Sequence, residues 1–158
     1  MRRRVSPAWW IYELMKGDQL PNDVLIVEDD PIIAIDFEDK ILGFGVGTVR
    51  TAQTVARALD MIADRAPDFA LLDVGLIHEK CFAIAERLDA LNIPFMFVTG
   101  YGREIPLPSA FADRLRLSKP CSSEALGAAL KEGFESGRTD FGGQVLPVSG
   151  SIEPGLGK

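Results

Sequence analysis

Apolar residues in this chain fall into short runs, and each run ends on a polar side chain. Val24-Leu-Ile-Val27 is followed by Glu28-Asp29-Asp30, and Phe69-Ala-Leu-Leu72 by Asp73. Phe95-Met-Phe-Val98 leads into Thr99, and the weaker run Leu115-Arg-Leu-Ser118 leads into Lys119-Pro120. Continuous apolar runs of four suit strands covered on both faces, as in a parallel sheet. Between the runs the spacing becomes helical. Asp30-Pro31 supplies a cap and a first-turn proline, Ile33, Phe37, Ile41 and Phe44 recur at helical intervals, and Gly43 and Gly45 stop the helix. Val55, Leu59 and Ile62 line a second helix that ends before Pro67. Cys81, Ile84, Ala85 and Leu88 line a third that ends near Asn92.

The remaining elements are fainter. Val46–Thr51 reads as a second strand and Arg114–Leu117 as a fifth, both poor in apolar residues. Glycine and proline between Gly100 and Asp113 leave room for one helical turn, around Ser109 to Ala112. Ser122 or Ser123 caps a last helix carrying Leu126, Leu130 and Phe134. Strands alternating with helices predict an α/β fold with a parallel sheet and right-handed crossovers. The foldable unit is residues 22–135. Residues 1–21 form an N-terminal extension with a short helix over Ala8–Lys16 that bears Trp9, Trp10 and Tyr12. Residues 136–158, rich in Gly, Ser and Pro, read as a flexible tail.

Composition narrows the function classes. A formal net charge of -6 argues against nucleic-acid binding, which favours a basic face. No apolar stretch approaches the roughly 20 residues that span a bilayer, and Glu13 interrupts Trp9–Tyr12 too early for a signal-peptide core. Cys81 and Cys121 are too few for a disulfide framework, so free thiols in a reducing cytoplasm are expected. His78 is the only histidine, which removes the usual zinc donor sets.

In a parallel sheet the C-terminal ends of the strands share one edge, where open α/β folds place their sites. Glu28, Asp29 and Asp73 should meet there. Like charges that close require a proton or a cation, and an all-oxygen set suits Mg2+. Asp29 and Asp73 are the expected direct ligands, with Glu28 acting through water and the backbone carbonyl of Gly75 as a third ligand. Asp30 caps the helix instead. A carboxylate beside Mg2+ can attack a phosphoryl group, forming an acyl phosphate. The Thr99 hydroxyl with the Gly100 amide, and the Lys119 ammonium, would neutralise the phosphoryl oxygens that the metal does not take.

Glu28-Asp29, Asp73, Thr99 and Lys119-Pro120 stand in the order found in the receiver domain of bacterial two-component response regulators, which residues 22–135 resemble. The resemblance implies a doubly wound, flavodoxin-like sheet in the order 2-1-3-4-5 with helices on both faces. It also implies Mg2+ as cofactor and Asp73 as phospho-acceptor. A sensor histidine kinase or histidine phosphotransfer protein would be the donor, and a downstream protein the target. The role implied is phosphorelay signalling rather than enzymatic turnover, with neither DNA nor membrane as partner. Pro94-Phe-Met-Phe-Val-Thr-Gly-Tyr-Gly102 is similar to the motif of the FAT GUY subgroup of stand-alone receivers, associated with general stress signalling in alphaproteobacteria; Val98 stands where that subgroup has Ala. Most receivers carry a switch aromatic three positions before the lysine, where Arg116 stands here. Tyr101 becomes the candidate reporter, and Thr99, Gly100 and Tyr101 the expected switch. The one-turn fourth helix alters the face receivers commonly use to dimerise and leaves a homodimer open.

Two other readings compete. An unphosphorylated pseudo-receiver would use the same fold as a constitutive interaction module. A haloacid-dehalogenase-like phosphatase also uses a strand-end Asp, but needs a second Asp where Gly75 stands.

Overall fold

The computed structural model describes residues 20–75, 81–100 and 107–142, with the backbone alone at Cys81 and at residues 137–142. The expected N-terminal helix, His78, Tyr101 and the tail beyond 142 lie outside the described residues. In chain order the elements are β1 (Asp23–Val27), α1 (Pro31–Gly43), β2 (Thr48–Ala52), α2 (Val55–Asp64), β3 (Phe69–Asp73) and α3 (Cys81–Ala90). They continue with β4 (Phe95–Gly100), a single 3-10 turn (Ser109–Phe111), β5 (Arg116–Lys119) and α4 (Ser123–Gly142). All strand pairs are parallel, and the sheet order is β2-β1-β3-β4-β5.

Side chains alternate along each central strand, so the sheet has two core layers. Val24, Ile26, Phe69, Leu71, Met96 and Val98 pack against Phe37 and Ile41 of α1 and against Leu126 and Leu130 of α4. Leu25, Val27, Ala70, Leu72, Phe95 and Phe97 face the other way, onto Ala58 and Ile62 of α2 and Ile84 and Leu88 of α3. Each fully buried Leu, Ile or Phe among them stabilises by about 1.5–3 kcal/mol. The helices change face between β1 and β3, and the chain crossings there open a crevice beyond the strand ends.

Helix ends follow the local chemistry. Asp30 accepts hydrogen bonds from the amides of Ile32 (2.9 Å) and Ile33 (3.4 Å), with Pro31 at the first turn. Thr54 accepts from Arg57 (3.0 Å), and Ser122 accepts from Ala125 (3.0 Å). After α1 the chain turns at Gly45 with φ 108°, a conformation that a Cβ would strain.

The structure differs from the sequence reading at the edges. β2 and β5 each begin two residues later than expected, and α4 runs to Gly142 rather than ending near 135. Val46 is buried, as its apolar character suggests, but it contributes to the core from the turn before β2.

Four aromatics assemble under the 3-10 turn, a cluster the sequence reading did not foresee. Phe111 stacks on Phe82 (6.5 Å between centroids) and meets Phe95 edge-on (5.8 Å). Arg114 lies 4.3 Å over the Phe95 ring and also pairs with Asp89. The turn is therefore held by its one aromatic side chain rather than by helical length.

Candidate functional site

Register alone brings the carboxylates together. Val27 pairs with Leu72, so the next residues, Glu28 and Asp73, are level at the ends of neighbouring strands. Both are buried, whereas Asp29 is exposed. One carboxylate oxygen from each of Glu28, Asp29 and Asp73 lies within 4.8 Å of the others. On the far side Asp73 pairs with Val98, which places buried Thr99 one residue beyond on β4. Gly100 pairs with Lys119.

Lys119 closes the cluster. Its ammonium lies 2.9 Å from Glu28 Oε1 and 3.4 Å from Asp73 Oδ2. The other Glu28 oxygen accepts the Asp30 amide at 3.2 Å, and Asp73 Oδ1 accepts the Gly75 amide at 3.1 Å. From the sequence, Gly75 is expected to offer only its carbonyl and Lys119 to meet an incoming phosphoryl group. The structure shows the Gly75 amide already fixing Asp73 and Lys119 already bridging two acids.

Burial pushes the Glu28 carboxyl up to about 7; the Lys119 hydrogen bond and the Asp30 amide oppose this, and the charge of Asp73 adds to it. Burial works against the Lys119 ammonium. Its hydrogen bond to Glu28 and the charge of Asp73 nevertheless hold its pKa above the ordinary lysine value. The ammonium thus stays charged while Glu28 sits at the edge of ionisation.

Among the described residues the donor set contains carboxylate oxygens without thiol or imidazole. That fits a hard divalent cation such as Mg2+ and does not fit zinc. A cation would join a site already partly neutralised by Lys119. Asp30 keeps its helix-capping duty, as expected from Pro31 behind it.

The profile of the response regulator receiver domain matches residues 24–131. The chain belongs to that family. Receiver domains are signalling modules of two-component systems, and the described fold has their five-stranded order. Among curated proteins, the polar-differentiation response regulator DivK of Brucella anthropi is 30% identical over 86 residues, covering 52% of this chain and 69% of DivK. The phyllosphere-induced regulator PhyR of Methylorubrum extorquens is 28% identical over 85 residues, covering 52% of this chain and 32% of PhyR. The chain thus spans about a third of PhyR's length. Among solved structures, SdrG of Sphingomonas melonis Fr1 superposes with a TM-score of 0.63 at 40% identity, covering 72% of this chain and 96% of SdrG. No described helix is long and apolar enough to cross a membrane.

Proposed function

We propose that this receiver domain acts as a single-domain response regulator, phosphorylated on Asp73 and signalling through protein contacts. The observation that carries the reading is one buried carboxylate, Asp73, fixed by the Gly75 amide and faced by Lys119 beside two further acids. The donor is a phosphohistidine on a sensor kinase or histidine phosphotransfer protein. An Asp73 oxygen attacks phosphorus as the N–P bond breaks; the electron pair leaves on the imidazole, which takes up a proton. The Gly75 amide holds the carboxylate in place, and Lys119 supplies positive charge where the transferred oxygens gather. Asp29 and Asp73, with Glu28 alongside, would hold Mg2+. When bound it supplies the charge neutralisation that phosphoryl transfer demands.

The solved "BeF3-activated conformation" of SdrG, 38% identical to this chain, shows a similar protein responding to a phosphoryl mimic. A solved PhyR is described as a stress response regulator, which supports a role in general stress signalling. Thr99, Gly100 and Tyr101 are the residues expected to report the phosphorylated state. A cytoplasmic setting fits this chemistry.

Incubating the protein with a competent kinase, ATP and Mg2+ is expected to add one phosphoryl group by intact mass, and Asp73→Asn to add none. An equal adduct in Asp73→Asn would move the acceptor elsewhere, and no adduct in the wild type would favour a constitutive interaction module. Lys119→Met removes a positive charge that competes with the cation. Mg2+ affinity by titration calorimetry is therefore expected to rise about tenfold, roughly 1.4 kcal/mol. Unchanged affinity would show that Lys119 and the metal do not share the same acids.

A further inference from the structure

Among the described residues the most exposed large aliphatics both stand at the start of α1, Ile32 at 76% and Ile35 at 57%. Ile32 borders a groove of about 580 Å³ that runs between α1 and the segment after β5, reaching Phe37, Lys119 and Cys121. Exposed isoleucines next to an open apolar groove mark a contact surface. The outer side of the same helix is acidic, with Asp36 and Asp39 exposed. Lys40 does not offset both: its ammonium is taken up by Asp36 (2.9 Å) and the Cys121 carbonyl (3.0 Å).

The chain itself contains a segment of complementary chemistry. Residues 1–19 carry Arg2-Arg3-Arg4, Trp9-Trp10-Ile11-Tyr12 and Lys16. They join the domain at Leu20, which packs on the core layer formed with Phe37, Ile41 and Phe44, on the α1 side of the sheet. With 13 residues α1 is about 20 Å long, whereas the ten steps from Trp10 to Leu20 reach roughly 33 Å when extended and roughly 22 Å with the expected helix to Lys16 formed. The tether is long enough for the aromatics to reach Ile32 and Ile35.

We propose that the N-terminal segment docks in cis on the outward face of α1, its aromatic residues over Ile32 and Ile35 and its arginines toward Asp36 and Asp39. A short tether gives an effective concentration on the order of millimolar, which favours this occupant over a second copy in dilute solution.

Trp9 and Trp10 are the only tryptophans in the chain, so tryptophan emission reports on this segment alone. The full-length protein is compared with an Ile32→Lys/Ile35→Lys variant, both changes being at exposed positions, with far-UV circular dichroism to confirm the fold. Leu91→Lys, an exposed site after α3 on the other layer, is the control. The α1 variant is expected to shift emission to the red and raise acrylamide quenching, while Leu91→Lys leaves both unchanged. Wild-type emission should not depend on protein concentration. The proposal is overturned if the α1 variant emits like the wild type, if Leu91→Lys shifts emission equally, or if the wild-type signal follows protein concentration as a second copy would require. Because no phosphoryl group enters the measurement, its failure leaves Asp73 phosphorylation standing, and the reverse also holds.

Discussion

Replacing Asp23 by alanine is expected to cost about 3 kcal/mol of stability and to lower the thermal midpoint by on the order of 10 °C. Asp23 opens β1 and is nearly buried. Arg50 grips it in a fork, Nε to Oδ1 and Nη2 to Oδ2, both at 3.0 Å, and Arg65 adds a third contact at 3.1 Å. Arg50 also donates to the carbonyls of Met61 (3.3 Å) and Arg65 (2.8 Å), so one guanidinium ties β1, β2 and the end of α2 together. Without Asp23, the Arg50 guanidinium, only 14% exposed, loses its counter-charge. That uncompensated charge, more than the lost attraction, sets the size of the effect. Urea unfolding of wild type and Asp23→Ala checks it; a difference below about 1 kcal/mol would place this group among ordinary surface pairs. Since Asp23 lies at the opposite ends of the strands from Asp73, phosphoryl uptake by the folded fraction should not change.

The second large effect concerns pH. With Glu28 raised to about 7 against an ordinary value of 4.5, the folded protein binds more protons than the unfolded chain between those two values. Stability contributed by this group is full below about 4.5 and declines as pH rises through 7, by up to about 3 kcal/mol in metal-free protein. Lys119 acts in a different window. Its raised pKa contributes stability throughout the acid and neutral range, lost only as pH climbs beyond the ordinary lysine value. Urea midpoints at pH 5 and pH 8, in wild type and Glu28→Gln, isolate the Glu28 contribution. The wild type should lose stability relative to the variant on going to pH 8, and saturating Mg2+ should reduce that loss. A wild-type midpoint that rises with pH relative to Glu28→Gln would contradict the assigned ionisation.

How far the chain could be read from its residues depended on burial. β1, β3 and β4 are enclosed on both faces, and their continuous apolar runs mark them clearly. β2 and β5 lie at the sheet edges and mix side chains as different as the largely covered Arg50 and the exposed Arg116. Starting such a strand two residues earlier or later carries little hydrophobic penalty, so sequence pattern does not fix its boundary. Glu28, Asp73, Thr99 and Lys119 were legible because strand ends in a parallel sheet converge whatever the loops do. The partners they choose were not. Lys119 settles on Glu28 as well as Asp73, across 91 residues of chain. Asp23 meets Arg50 and Arg65 across 27 and 42 residues, with no local spacing to announce it. The Phe82, Phe95, Phe97 and Phe111 cluster is also formed by distant segments, and each Phe alone reads as ordinary core.

The two outermost strands have a further consequence. β2 has five residues and β5 four, and arginine or lysine appears in each. Short, charged borders discourage foreign strands from adding to the sheet. A crowded pool of this protein should therefore stay as separate particles instead of growing into fibrils, and recognition by other molecules is left to helix and loop surfaces.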